Sequence, residues 1–375
     1  SAAEVNLRDR DLVNWTTVEL ADARVVLVGD IDRGGVFAQI VGTLDLIAVE
    51  ERARVCGIVI NKFRGDRTLF DDGVRFLTAR TGIPILGVLP YLRDLALDQE
   101  DSLDVGARAQ IPFTAERVNV AVLLLPHMSN FTDFNALAQE TDVALRYVAT
   151  PEAALGADVM ILPGSKTTLS DLAYLRERGF QSVLQDHVRR GGELVGVCGG
   201  YQMLGQSIAD PDGVETGGHD KGLELLPVTT VLARDKITEQ VEGQALHIEG
   251  STTLTVRGYL IHVGRTDRAG LRPSFQLVRR KTSLDGSTAI VRDEEYLDGA
   301  VRHDGLVWGT YVHGLFDQPD FRRAWLNRLR SRKGLPAVAL EESHRVNDTR
   351  LNAMDRWADH VDRHLDLAPV LSWLR

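Results

Sequence analysis

Runs of consecutive apolar and β-branched residues, each closed by Gly, Asn or Pro, recur through the first hundred positions: Ala23 to Val28, Val55 to Ile60 and Ile83 to Leu89. Strands that are apolar on both sides are buried on both faces, the pattern of a parallel sheet covered by helices. Between Ser102 and Glu116 the chain turns polar and loses periodicity, with Gly106, Gln110 and Pro112, which predicts a linker over 104–117. A second series follows. Strands are expected at Val118 to Leu125, Val143 to Val148, Val159 to Leu162 and Glu193 to Val197, with helices at Asp133 to Glu140, Leu169 to Arg178 and Gln181 to Arg190. From Leu226 to Val291 apolar residues alternate, as at Tyr259, Ile261 and Val263, which predicts short antiparallel strands carrying part of an acceptor-side surface. In the tail Leu351, Met354, Ala358, Val361 and Leu365 fall at helical spacing, so an amphipathic helix is expected over Arg345 to Leu365. The reading is an α/β chain with doubly wound domains at 1–103 and 118–332 and a helical tail at 333–375.

Composition narrows the class without selecting a function. At 375 residues and 44% apolar content the chain can bury two cores. No apolar run approaches 18 residues and no signal-peptide pattern is present, so neither a membrane span nor export is indicated. Two cysteines, Cys56 and Cys198, form no disulfide framework or metal-ligand cluster, which fits a reducing cytoplasm. The formal charge of −10 argues against general nucleic-acid affinity. Oligomeric state is not legible.

The chemistry concentrates at Gly196-Val197-Cys198-Gly199-Gly200, where an apolar strand turns abruptly into the helical start Tyr201-Gln202-Met203-Leu204. Glycines flank a nucleophile elbow because its central residue is strained and neighbouring side chains would block both the turn and the substrate. A thiol at a helix N-terminus is also activated as thiolate. A buried structural cysteine would give the same spacing. Among ten histidines, His187, His344, His360 and His364 lie in charged helical stretches. His313 instead follows the buried run Leu306 to Val312, at a strand end where α/β sites form, and His262 follows the β-like run from Gly258.

Cys198 in GVCGGYQMLG, followed 115 positions later by His313 in GTYVHGLFD, resembles a class I glutamine amidotransferase domain. By that resemblance Val159 to Lys166 is the oxyanion loop, and the backbone N–H groups of Gly164 and Gly199 face the tetrahedral oxyanion. The class usually carries His-x-Glu, whereas Gly314 and Leu315 follow His313 here. Either His313 works with Cys198 as a dyad or a distant carboxylate orients it; no acid in the sequence has an obvious claim, so the reading favours the dyad. The subgroup lacking that Glu is the cobyric acid synthase and cobyrinate diamide synthase family. Ala3 to Asp11, Gly29 to Ala38, Asn61 to Asp66 and Gly258 to Thr266 resemble cobyric acid synthase segments, in the same order.

The resemblance implies an amidoligase domain related to dethiobiotin synthetase, with ATP as substrate, Mg²⁺ as cofactor and no permanently bound cofactor. Glutamine would be the ammonia donor and adenosylcobyrinic acid a,c-diamide the acceptor. Asp30 and Asp32 would hold Mg²⁺, Arg33, Gly34 and Gly35 an anion, and Asn61 and Lys62 the adenine side; Asp-x-Asp and Gly-Gly are also ordinary loop formers. No G-x-x-x-x-G-K-[ST] occurs. The chain therefore resembles a member that begins inside its P-loop domain, and these 375 residues are expected to bind ATP weakly or not at all and not to amidate a corrin, while the amidotransferase half folds and hydrolyses glutamine slowly. Other readings are a cobyrinate a,c-diamide synthase, a peptidoglycan-amidating glutaminase, an unrelated cysteine hydrolase and a non-catalytic corrin-binding fragment.

Overall fold

The computed structural model describes residues 3–11, 13–93, 95, 111–248, 254–282 and 288–373. The chain divides into two compact units, Ser1–Leu97 together with Thr349–Arg375, and Asp98–Asp348. The tail expected as one element from 333 is thus shared between them. Residues 104–110 of the expected linker lie outside the described residues.

In the first unit β1 (Val25–Asp30), β2 (Val55–Phe63) and β3 (Ile85–Pro90) form a parallel sheet in that order. Ile58 and Ile60 of the central strand are fully buried against the helices Val36–Leu46 and Asp71–Thr81 through Ile40, Leu44 and Leu77. Val59, on the opposite side of a strand whose side chains alternate, packs with Leu86, Leu89 and the C-terminal Trp357 and Leu365. The amphipathic helix runs from Leu340 to His364, and just beyond it Asp366 N–H donates to the Leu86 carbonyl at 2.7 Å.

In the second unit a six-stranded sheet is built from β4 (Val118–Leu123), β6 (Val143–Val148), β7 (Val159–Leu162), β9 (Glu193–Val197), β16 (Ala300–Val301) and β17 (Val307–Thr310). The order is β16-β17-β9-β7-β4-β6, parallel except at the edge strand β16. Every residue of β4, β7, β9 and β17 is buried, which is why these strands read as unbroken apolar runs. A short pair, β5 (Met128–Ser129) and β8 (Gly164–Ser165), bridges the loops that leave β4 and β7. The rest is a seven-stranded sheet: β10 (Ser207–Asp210), β11 (Gly218–Lys221), β12 (Thr229–Ala245), β13 (Thr255–Asp267), β14 (Phe275–Thr282), β15 (Thr288–Asp298) and β18 (Val312–His313). The expectation of short strands fails here, since β12 has 17 residues and β13 has 13. Their alternation breaks where β12 bulges between Val231 and Lys236, so two segments separated in pattern are one strand in space.

The strand that ends at the thiol is anchored at its other end by a buried charge. Glu193 Oε1 accepts from the Trp308 and Trp325 indoles, both at 2.8 Å, and from Arg328 at 2.6 Å, while Oε2 accepts from Arg332 at 2.8 Å. A buried carboxylate is tolerated only with such partners.

Candidate active site at the strand ends

β17, β9, β7 and β4 are adjacent in the sheet, and the loops at their carboxyl ends converge. Cys198 follows β9 directly and caps the helix Gly199–Met203, with φ 53° and ψ −114°. That backbone conformation is rare for a residue with a Cβ and costs about 1–3 kcal/mol, so the surroundings must hold it. They do. Cys198 N–H donates to the Thr310 carbonyl at 2.8 Å, and a Cβ on Gly196 would lie 2.7 Å from the Tyr201 backbone. On Gly200 it would lie 2.1 Å from the Leu162 carbonyl oxygen. The glycines are therefore required by close approach of the turn to its own helix and to the end of β7.

The Cys198 thiol points its S–H toward the Ile261 carbonyl at 3.6 Å and is electrostatically coupled to the His313 imidazole. His313 is fully buried. Its Nδ1 lies 2.7 Å from Asp133 Oδ2, and the other oxygen of that carboxylate accepts the Gly314 N–H at 2.9 Å. A carboxylate only accepts, so Nδ1 carries the proton and Nε2 remains for the thiol. Burial alone would lower the histidine's pKa, but the bonds to Asp133 and Cys198 outweigh it and raise it to about 10. The Asp133 carboxylate favours the charged form of the ring, so His313 can take a proton and hold it.

The ring faces are also covered. Tyr259 stacks at 5.3 Å between centroids and 22° between planes. The Asn130 amide nitrogen is 3.1 Å from Nδ1 and 3.0 Å from Nε2, a near-equality possible only over the ring face. Gly164 and Gly199 flank the same space. A Cβ on Gly164 would meet His313 Cε1 at 3.3 Å, and one on Gly199 would meet Ser165 N at 3.0 Å. Gly199 N–H begins its helix and has no acceptor within it.

The structure thus brings Cys198, His313, Gly164 and Gly199 together, and it corrects one expectation. A dyad was favoured because no acid had a claim; Asp133 has one, contributed by the single turn Phe131–Phe134 after β5. Only a fold could reveal it, since 180 positions separate it from His313. Within the Leu226 to Val291 stretch expected to carry part of an acceptor-side surface, the segment Gly258 to Thr266 walls this site. A Cβ on Gly258 would lie 2.2 Å from the His313 carbonyl, His262 stacks on Tyr311 at 3.8 Å, and the Val263 carbonyl accepts from Gln202 Nε2 at 3.0 Å. Burial, then the neighbouring His313 charge, lowers the His262 pKa to about 4, so that ring is neutral.

In the first unit Asp30 and Asn61 face each other at the ends of β1 and β2, with Asp32 and Arg33 in the turn beyond. Gly34 and Gly35 have φ of 76° and 67° and lead into the helix Val36–Leu46. Asp30 is bonded to Lys62 Nζ at 2.8 Å and Asp32 to Arg64 at 2.8 Å, and these cations hold both carboxyls below the usual range. Among the described residues no cluster of three or more His, Cys, Asp or Glu could hold a metal. The carboxylates expected to carry Mg²⁺ are already neutralised, so no Mg²⁺ site is assigned to them.

Residues 119–321 match the CobB/CobQ-like glutamine amidotransferase domain family, and residues 4–99 match an AAA domain. A cobyric acid synthase of Citrobacter koseri is 47% identical over 99% of this chain and 71% of its own length. One from Nostoc punctiforme is 43% identical over 99% of this chain and 73% of its own. The solved PurLQS of Thermotoga maritima covers 64% of this chain and 99% of its own at 16% identity and a TM-score of 0.39, too distant to bear on the site. Among the described residues no helix is long and apolar enough to cross a membrane.

Proposed function

The chain belongs to the cobyric acid synthase family, and from that premise we propose that its second unit hydrolyses glutamine and supplies ammonia to a corrin amidation. The observation that carries the glutaminase reading is Cys198 at φ 53° on a strand-to-helix turn, with a fully buried histidine, His313, held by Asp133 in the same site. His313 Nε2 takes the thiol proton, Cys198 Sγ attacks the side-chain amide carbon of glutamine as thiolate, and the carbonyl electrons collect on an oxyanion facing the Gly164 and Gly199 N–H groups. His313 passes its proton to the departing nitrogen, so ammonia leaves and a γ-glutamyl thioester remains. The neutral imidazole then deprotonates a water that attacks the thioester, which releases glutamate and restores the pair.

The acceptor reading rests on the relatives. Cobyric acid synthases are proposed as the guide to adenosylcobyrinic acid a,c-diamide as acceptor, with four peripheral carboxylates activated by ATP as acyl phosphates and displaced by ammonia. Asp30, Arg33, Gly34, Gly35, Asn61 and Lys62, gathered at the ends of β1 and β2, are the proposed nucleotide or substrate contacts. The test is to give the full-length gene product glutamine, ATP and either cobyrinic acid or its a,c-diamide, and to weigh the products by mass spectrometry. Four added amides on the diamide are expected; amidation of cobyrinic acid at positions a and c alone would reassign the chain to the diamide synthases.

A further inference from the structure

The position two residues after His313 is Leu315, a buried apolar side chain, so the strand that carries the base provides no carboxylate. Asp133 reaches the ring from the far side of the sheet order, on the loop leaving β4. It grips two points at once: Oδ2 on Nδ1 at 2.7 Å and Oδ1 on the Gly314 N–H at 2.9 Å. A carboxylate held to the ring and to the backbone behind it fixes both the rotation of the imidazole and the course of the chain that carries it. Among the described residues its one ion pair is with His313.

Asp133 is only 4% exposed, and an unpaired buried carboxylate is costly enough to be rare, so its charge and that of the imidazolium support each other. The turn is shaped to deliver it. Asn130, at φ 53°, reverses the chain after β5, and Asp133 N–H closes the turn on the Asn130 carbonyl at 3.1 Å. Asn is among the few residues other than Gly that adopt that conformation readily, and its own amide then covers the ring whose edge Asp133 holds. One tetrad, Asn130-Phe131-Thr132-Asp133, therefore supplies both a face and an edge contact to His313.

We infer that Asp133 is the positioning carboxylate of the glutaminase, taking from another loop the place that an acid two residues after the histidine would fill. It touches no reacting atom and acts through His313: it sets the tautomer, aims Nε2 at Cys198 and keeps the ring protonated for the departing ammonia. The inference rests on the glutaminase reading.

The test uses Asp133→Asn, His313→Ala and the double variant in the whole chain, with active sites counted by stoichiometric alkylation of Cys198. Asp133→Asn is expected to lower kcat per counted site by about 10²–10⁴-fold with little change in KM for glutamine, because the tautomer is lost and binding is not. It also moves the alkaline limb of the pH profile to lower pH. In the His313→Ala background the same change is expected to add less than about threefold, since Asp133 has nothing left to position. A wild-type pH profile and kcat per counted site in Asp133→Asn, or full additivity in the double variant, would overturn the inference. A wild-type chain that does not hydrolyse glutamine would instead sink the glutaminase reading, so the two failures are distinct.

Discussion

Gly200→Ala isolates the geometric requirement of the elbow without touching a reacting group. The new methyl would sit 2.1 Å from the Leu162 carbonyl oxygen, 2.6 Å from its carbon and 2.8 Å from the Pro163 oxygen, all backbone atoms with no rotamer to yield. Roughly 1 Å of separation must be found, and overpacking of that kind costs about 1–3 kcal/mol. The displacement falls either on the end of β7, which continues into Gly164, or on the helix Gly199–Met203, which carries Cys198. Either path moves an oxyanion donor relative to the thiol, and misplacement by about 1 Å costs on the order of 10²-fold in rate. We therefore expect kcat for ammonia release from glutamine to fall by about two orders of magnitude, with a drop of several degrees in Tm for the second unit. Gly42→Ala is the control: a Cβ there meets nothing within 4 Å in the middle of a helix, so Tm should hold or rise and activity should not change. A Gly200→Ala chain that turns over within about twofold of wild type would show that the elbow does not need the close approach proposed for it.

Other outcomes follow from the same geometry. Cys198→Ser should leave folding intact and remove glutamine-dependent turnover, while ammonia still supports amidation in the full-length gene product; persistent glutaminase activity would exclude the thiol. His262→Ala should reduce glutaminase kcat because it strips the stack from Tyr311, whose hydroxyl accepts from Gln202 behind the elbow; unchanged ammonia release would contradict this. His313 has its pKa raised to about 10, so its contribution to stability is complete below about pH 6.5 and is lost as pH rises toward 10. Thermal melts from pH 7 to 10 should show that loss, and it should shrink in Asp133→Asn. The buried neutral His247 and His262, lowered to about 3 and about 4, act oppositely and should cost stability as pH falls below about 6.5.

The parallel strands were legible because each is buried on both faces, and the thiol because glycines at Gly196, Gly199 and Gly200 mark a crowded turn. His313 was legible as the residue after a buried run. Asp133 was not, because nothing local distinguishes an acid in a polar turn; its role depends on β4 and β17 lying on either side of β9 and β7 in the sheet. The place of the Gly258 to Thr266 segment beside the thiol was not legible, since alternation identifies a strand and not its neighbour. Only the pairing of Tyr259 with His313 across β13 and β18 fixes where it belongs.

The central claim is that glutamine is opened by Cys198, and trapping the covalent intermediate tests it most directly. The chain holds two cysteines, so the γ-glutamyl thioester formed with glutamine, or the stable adduct formed with 6-diazo-5-oxo-L-norleucine, can be assigned by peptide mass spectrometry. The account predicts the adduct on the peptide containing Cys198, none on Cys56, and far slower labelling in His313→Ala. Glutamine hydrolysis that proceeds with Cys198 unmodified, or an adduct confined to Cys56, would contradict it.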